Sequence, residues 1–155
     1  MRRYLGVVAI PVLAFCILGA RGQSMSKKKA LAVKYLKAGS KAVDIRVLDE
    51  ILADDFIDHQ TPNRDLSAVK KAFLSIYETF PDLTPKIEDT IAEGNRVAVR
   101  VTWEGSHTGR PVAGIEPTGK RVRFTSIDIF HIEGDKIQEH WSVDEGYAII
   151  TQLRN

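Results

Sequence analysis

The side chains able to move protons cluster late in this chain, with His107, Asp128, His140, Ser142 and Asp144 all in its last third. A carboxylate is a natural acceptor for a proton next to a carbonyl, and a histidine, a tyrosine or a protonated carboxyl can donate to the oxygen that becomes charged. Asp128 lies two residues before Phe130 and four after Phe124. A carboxyl sharing a face with those rings and with Trp103 is desolvated, which disfavours its charged form and strengthens it as a base near neutrality. His140, Ser142 and Asp144 are spaced by two, so on a strand they point the same way. The catalytic candidates are therefore Asp144, Asp128, His140 and His107. His59, Phe73, Tyr77, Trp103, Phe124, Phe130 and Ser142 are the candidates to line a ligand, with His59 and Tyr77 as further donors.

Other chemistry finds little support. The histidines are scattered, and His140 and Asp144 on one strand lack the helical spacing that converges on an ion, so no metal is expected. No nucleophile motif, phosphate-binding glycine loop or dinucleotide fingerprint occurs, so no cofactor is expected.

The elements that must position these residues follow from periodicity. A helix over Lys28–Ala38 is broken by Gly39-Ser40, and a second over 43–52 carries Val43, Val47, Leu48, Ile51 and Leu52 as one apolar stripe. Residues 56–59 read as a short extended exit, closed by a turn at Gln60-Thr61-Pro62-Asn63. A third helix runs from about Asp65, which can cap it, to Phe80, before Pro81. The period then changes to two, giving strands near 84–92, 96–107, 120–132 and 136–146, with turns at Glu93-Gly94-Asn95 and Glu133-Gly134-Asp135. Helices first and strands afterwards make an α+β domain, three N-terminal helices covering one face of a curved, mainly antiparallel sheet. The glycine- and proline-rich stretch from Gly109 to Lys120 is either a lid over a pocket or a plain long loop.

Alternation assigns the faces. Val97, Val99, Val101, Trp103 and His107 share the inner face, opposite Arg96, Arg100, Thr102 and Glu104. Exposed Arg121 and Arg123 put Val122, Phe124, Ser126, Asp128 and Phe130 inward, leaving Ile127, Ile129 and His131 outside. Isoleucines on an outer face point to a homodimer through that face. On the last strand either His140, Ser142 and Asp144 or Ile137, Trp141 and Val143 face inward, and periodicity does not choose.

The N-terminus reads as export machinery. Arg2 and Arg3 precede an apolar run from Tyr4 to Leu18, and Ala20 and Gly22 suit a signal-peptidase site, so residues 1–22 read as a signal peptide and 23–155 as the domain, about 130 residues with one core. A secreted or periplasmic protein is expected. The competing reading, a retained membrane anchor, has too short an apolar run, interrupted by Pro11. Cys16 is the only cysteine and leaves with the signal, which excludes disulfides and thiol catalysis from the domain. The formal net charge of +2 becomes −1 once Arg2, Arg3 and Arg21 are removed. The lysines at 27, 28, 29, 34, 37 and 41 have no interleaved aromatics and read as a solvated helix face, so no nucleic acid is expected.

Several segments, in order, resemble one family: Asp54-Asp-Phe-Ile-Asp-His59, Phe80-Pro-Asp-Leu83, Val97-Ala-Val-Arg100, Gly105-Ser-His-Thr-Gly109, Pro117-Thr-Gly119, Ile127-Asp-Ile-Phe130, Lys136-Ile-Gln-Glu-His-Trp141, Asp144 and Thr151-Gln-Leu153. From about Asp44 to the end the chain resembles the SnoaL-like polyketide cyclases. That resemblance implies the cone-shaped nuclear-transport-factor-2-like fold, shared with ketosteroid isomerase and limonene epoxide hydrolase, with a pocket between helices and sheet. It favours the inward choice for His140, Ser142 and Asp144. It also implies one aspartate as the acid/base catalyst of an intramolecular aldol closure without cofactor or metal, a role carried to Asp144 with Asp128 as its rival. The export signal sets the chain apart from the cytoplasmic cyclases of antibiotic pathways. The expected function is a cyclase or isomerase acting by enolate chemistry on a small hydrophobic carbonyl compound. The alternatives are a non-catalytic binding domain and a hydrolase with an aspartate-activated water.

Overall fold

The computed structural model describes residues 12–60 and 65–155, with side chains of the first helix described from Met25 onward. Residues 1–11 of the expected signal segment and three residues of the expected turn after Gln60 lie outside that description. Helix α1 (Val12–Lys37) buries Ala32, Tyr35 and Leu36, and Lys34 and Lys37 in its last turn face the negative end of its dipole. Among the described residues no helix is long and apolar enough to cross a membrane.

The second helix is shorter than its apolar stripe suggests, since α2 spans only Val47–Ile51. Asp44 is the cause: its side chain accepts the backbone N–H of Arg46 at 2.9 Å, and tight three-residue turns from Asp44 to Arg46 replace the expected first helical turn. Strand β1 (Leu52–Asp58) correspondingly begins four residues earlier than expected. Helix α3 (Leu66–Thr79) starts where predicted, with the Asp65 carboxylate accepting Ala68 N–H at 2.8 Å.

Strands β2 (Thr84–Glu93), β3 (Arg96–Ser106), β4 (Arg121–Glu133) and β5 (Lys136–Asp144) form the meander that the period of two predicts. Gly94 and Gly134 take positive φ in the two tight turns, a conformation glycine adopts without steric cost. The sheet order is β1-β5-β4-β3-β2, with β1 parallel to β5 and the other pairs antiparallel. A fourth helix, α4 (Gly146–Arg154), closes the chain and was not anticipated, although Ile149, Ile150 and Leu153 have helical spacing. The α+β architecture expected from the sequence is the one observed, as an open, mixed sheet with helices on one face.

The inner row of β3 is buried as expected: Val97, Val99, Val101 and His107 are fully enclosed and Trp103 nearly so. The 109–120 excursion is not a lid. It docks on the end of α3, where Gly109 N–H and Arg110 N–H donate to the carbonyls of Thr79 and Glu78, two groups that a helix end leaves without partners.

Candidate functional site

The β4–β5 ladder builds the site. Phe130 pairs with His140, Asp128 with Ser142 and Ser126 with Asp144, so the inward side chains of both strands lie side by side. A register shift between His131 and Ile132 puts Glu139 opposite one and Ile137 opposite the other. Ile137 and His140, three residues apart, are consequently both buried. Strict alternation cannot give that result, which is why it left two choices for this strand.

A continuous polar chain crosses the inner wall. Trp103 Nε1–H donates to Ser126 Oγ at 2.9 Å, and Ser126 O–H donates to Asp128 Oδ2 at 2.7 Å. Asp128 Oδ1 is 2.9 Å from His140 Nε2, and His140 Nδ1 is 3.2 Å from both Asp58 Oδ1 and the Tyr35 hydroxyl. Asp58 Oδ1 also accepts the N–H of Gln60 at 2.9 Å. Asp58, Asp128 and His140 are each at most 5% exposed. The imidazole is packed by Phe130 at 4.9 Å and by the ring of Tyr35 at 4.8 Å.

Burial alone disfavours charge on His140, but hydrogen bonds to Asp128 and Asp58, and the charges of both, outweigh it and hold the imidazole above its ordinary value. In that imidazolium state each ring nitrogen donates to one carboxylate. Burial first, and then the charges of Asp58 and Asp128, push the Tyr35 phenol well above its ordinary range, so it remains protonated near neutrality.

These groups open into a cavity of about 360 Å³ between α1, α3 and the sheet. Leu36, Val69, Phe73, Ile76, Trp103 and Phe124 are among its apolar lining, and among the described residues no lysine or arginine reaches it. Asp128, His140, Ser142, Asp144, Phe73, Trp103 and Phe124 therefore all lie where the sequence placed them. Asp144 is exposed at the mouth, and its Oδ1 accepts Gly146 N–H at 2.9 Å, so it lacks the desolvated surroundings expected for the leading carboxylate.

Four candidates lie elsewhere. His107 is buried outside the cavity: Thr118 N–H reaches its Nδ1 at 3.4 Å and its Nε2 is 3.0 Å from the Arg110 carbonyl, a pairing that fixes the neutral tautomer and pins the 109–120 segment. Tyr77 donates to the Ala38 carbonyl and ties α3 to the end of α1. Phe130 lies beneath His140 and does not reach the cavity surface. His59 faces outward, stacked on Trp141 at 4.5 Å with its Nε2 3.2 Å from Glu139 Oε2, because it follows Ile57 on the outer side of β1.

Asp58 and Tyr35 are the functional residues that the sequence reading passed over. Asp58 had a signal, since it shares the period-two face of Phe56. Tyr35 lies within the helix read over Lys28–Ala38, and its polar partner lies 105 residues away. Among the described residues no group of three His, Cys, Asp or Glu side chains is arranged to hold a metal ion.

The profile of the SnoaL-like polyketide cyclase family matches residues 30–153. Among solved structures, TsrD from Streptomyces laurentii is similar at 28% identity and a TM-score of 0.73, covering 83% of this chain and 95% of its own. AclR from Streptomyces galilaeus, named as a candidate hydroxylase, is similar at 24% identity and a TM-score of 0.74, covering 84% and 86%. A SnoaL-like polyketide cyclase from Agrobacterium tumefaciens is similar at 22% identity and a TM-score of 0.65, covering 81% and 97%. No curated protein matches the chain.

Proposed function

We propose that this chain, which belongs to the SnoaL-like polyketide cyclase family, is a cyclase- or isomerase-type enzyme that moves a proton beside the carbonyl of a small, largely apolar molecule. The observation that carries this reading is the Asp58–His140–Asp128 chain set into an apolar cavity. The neighbours differ in the reactions their names assign, and one fold hosts many chemistries, so the reaction is argued from the site alone.

Asp128 is the base. Its carboxylate takes the proton from the carbon next to the carbonyl, the C–H electron pair becomes the enolate double bond, and the charge moves to the carbonyl oxygen. The enolate carbon then attacks a second carbonyl of the same molecule or regains the proton elsewhere. His140 holds Asp128 oriented through the 2.9 Å contact, and Asp58 anchors the far side of the ring. Proton transfer of this kind needs only a base and a donor, which this wall supplies.

The test needs no knowledge of the natural substrate. 2-Acetylnaphthalene, a flat aryl ketone, exchanges its methyl protons in D2O through its enolate, and proton NMR follows the loss of signal. The wild-type chain is expected to accelerate that exchange, Asp128→Asn to lower the rate about 100-fold or more, and Asp144→Asn to lower it less than about tenfold. Binding without accelerated exchange identifies a receptor and overturns the catalytic reading, as does undiminished exchange in Asp128→Asn.

A further inference from the structure

The proton transfer above makes no use of the phenol of Tyr35, the polar cavity group that lies beside His140 Nδ1. Its ring is wedged against Phe130 at 5.2 Å and Phe73 at 5.5 Å, the residue is 2% exposed, and it lines the cavity. Among the described residues its hydroxyl has a single hydrogen-bond partner, His140 Nδ1 at 3.2 Å, the nitrogen that also faces Asp58 Oδ1 at 3.2 Å. One nitrogen with two such partners has two arrangements. When Nδ1 carries a proton it donates to Asp58 and the phenol oxygen beside it, and the phenolic O–H has no acceptor among the described residues. When Nδ1 is bare, the phenol donates to it and its proton is occupied.

We infer that Tyr35 is the hydrogen-bond donor to the carbonyl oxygen of the bound molecule, and that His140 controls it, releasing the phenolic O–H toward the cavity when both ring nitrogens are protonated and withdrawing it when Nδ1 is bare. This deepens, and rests on, the enolate reading of the site. It places the base on the Nε2 edge of one imidazole and the donor on its Nδ1 edge, so a single ring orients both partners of the proton transfer. A donor held in a dry cavity and aimed at a developing oxyanion is worth far more than one in water.

The charged and titratable groups around His140 are Asp58 from β1, Asp128 from β4 and Tyr35 from α1, with Asp144 of its own strand at the cavity mouth. The imidazole of His140 is held above its ordinary value, which favours the state that frees the donor. The phenol itself does not titrate in that range. The dependence expected is therefore a loss of the donor as pH rises through the value of His140.

The test reads the carbonyl directly. 2-Acetylnaphthalene carrying carbon-13 at the carbonyl is bound to the full domain, and isotope-edited infrared difference spectra locate its stretching frequency. At about pH 5.5 the stretch of the bound probe is expected to lie below its frequency in hexane, and at about pH 9.5 this downshift is expected to vanish. Tyr35→Phe keeps the ring packing and is expected to abolish the downshift at both pH values, with the exchange rate falling about 100-fold. A downshift that survives Tyr35→Phe overturns the assignment, and one that does not change with pH in the wild type overturns the control by His140. The wild-type titration stands even where the variant does not fold. A downshift that depends on Tyr35 in a chain that exchanges no protons supports the donor while removing the catalytic reading. Exchange that persists with the downshift unaltered by Tyr35→Phe does the reverse.

Discussion

Because His140 has a carboxylate at each ring nitrogen, folding takes up protons here, and the sign of the linkage follows. The imidazole is held above the ordinary value of about 6.5 that it has in the unfolded chain. Its contribution to stability is therefore fully present below that unfolded value and is lost as pH rises through the folded one. Urea denaturation of the wild type against pH is expected to show this fall, and His140→Leu is expected to lack it while losing about 3–5 kcal/mol overall, since two buried carboxylates lose their partner. Asp58 tests the pairing from the other side. Removing its charge with Asp58→Asn takes one opposite charge from Nδ1, and the His140 titration, followed by the ring C–H resonance in NMR, is expected to drop by about one unit or more. An unmoved titration means Asp58 is not a partner of the ring. This is also the scale at which the sequence was least readable. Asp128 stood out because its neighbours alternate with it, and His140 because the family resemblance turned it inward. Asp58 sat in a segment read as a short extended exit, and Tyr35 became polar machinery only through a contact across 105 residues.

Among the elements, those governed by local patterns were legible and those governed by competition were not. On β3, valines alternating with arginines and Thr102 leave one face consistent with burial, and the structure follows it. On β5 the register shift near Ile132 flips the parity, so His140, Ser142 and Asp144 face the cavity as one reading had them, Ile137 of the other reading is buried as well, and Trp141 and Val143 lie outward. The apolar stripe over 43–52 promised a helix, but the Asp44 side chain captured Arg46 N–H and the helix yielded half its length. The 109–120 segment shows the same logic at a junction, because its start passes so close to α3 that Gly109 has no room for a side chain. A Cβ there would lie 1.7 Å from the Glu78 carbonyl oxygen. Gly109→Ala is accordingly expected to undock the segment, lowering stability by about 2–4 kcal/mol and exposing Lys120 to limited trypsin digestion. Resistance to trypsin equal to that of the wild type would show that the docking is dispensable. His107 holds the other end of the same segment, which explains a buried histidine that takes no part in the cavity.

At the scale of the whole molecule, the domain described from Met25 onward carries its own anchoring: the Lys28 ammonium donates to Gly94 O and Asn95 Oδ1, and Tyr35 and Leu36 are core residues. We propose that residues 1–22 serve export alone, and a chain starting at Gln23 is expected to unfold in one cooperative transition and to keep the exchange activity; loss of either would tie the leader to the fold. The outer face of the sheet raises the remaining question. Trp141, Ile129, Ala98 and Ile91 stand in register across β5, β4, β3 and β2, with Val143 and Ile127 paired in the next row. Ile91, Ile127, Ile129 and Val143 are all exposed, Val143 at 78%. Ion pairs border this patch, Arg100 with Asp89 and Arg121 and Arg123 with Glu104, and the Arg96 guanidinium lies over the Trp141 ring at 4.6 Å. An exposed apolar row of this kind can meet itself across a two-fold axis, the self-complementary contact of an isologous interface. We propose that a second copy of this chain covers it. Sedimentation velocity at about 50 µM is expected to give a dimer for the wild type and a monomer for Ile127→Lys with Ile129→Lys, since two lysine charges at the centre of such a patch cannot be desolvated without partners. The variant is expected to keep its circular dichroism and its exchange rate, because both side chains point away from the cavity. A wild-type chain that sediments as a monomer removes the interface, and a variant that stays dimeric moves it to another face.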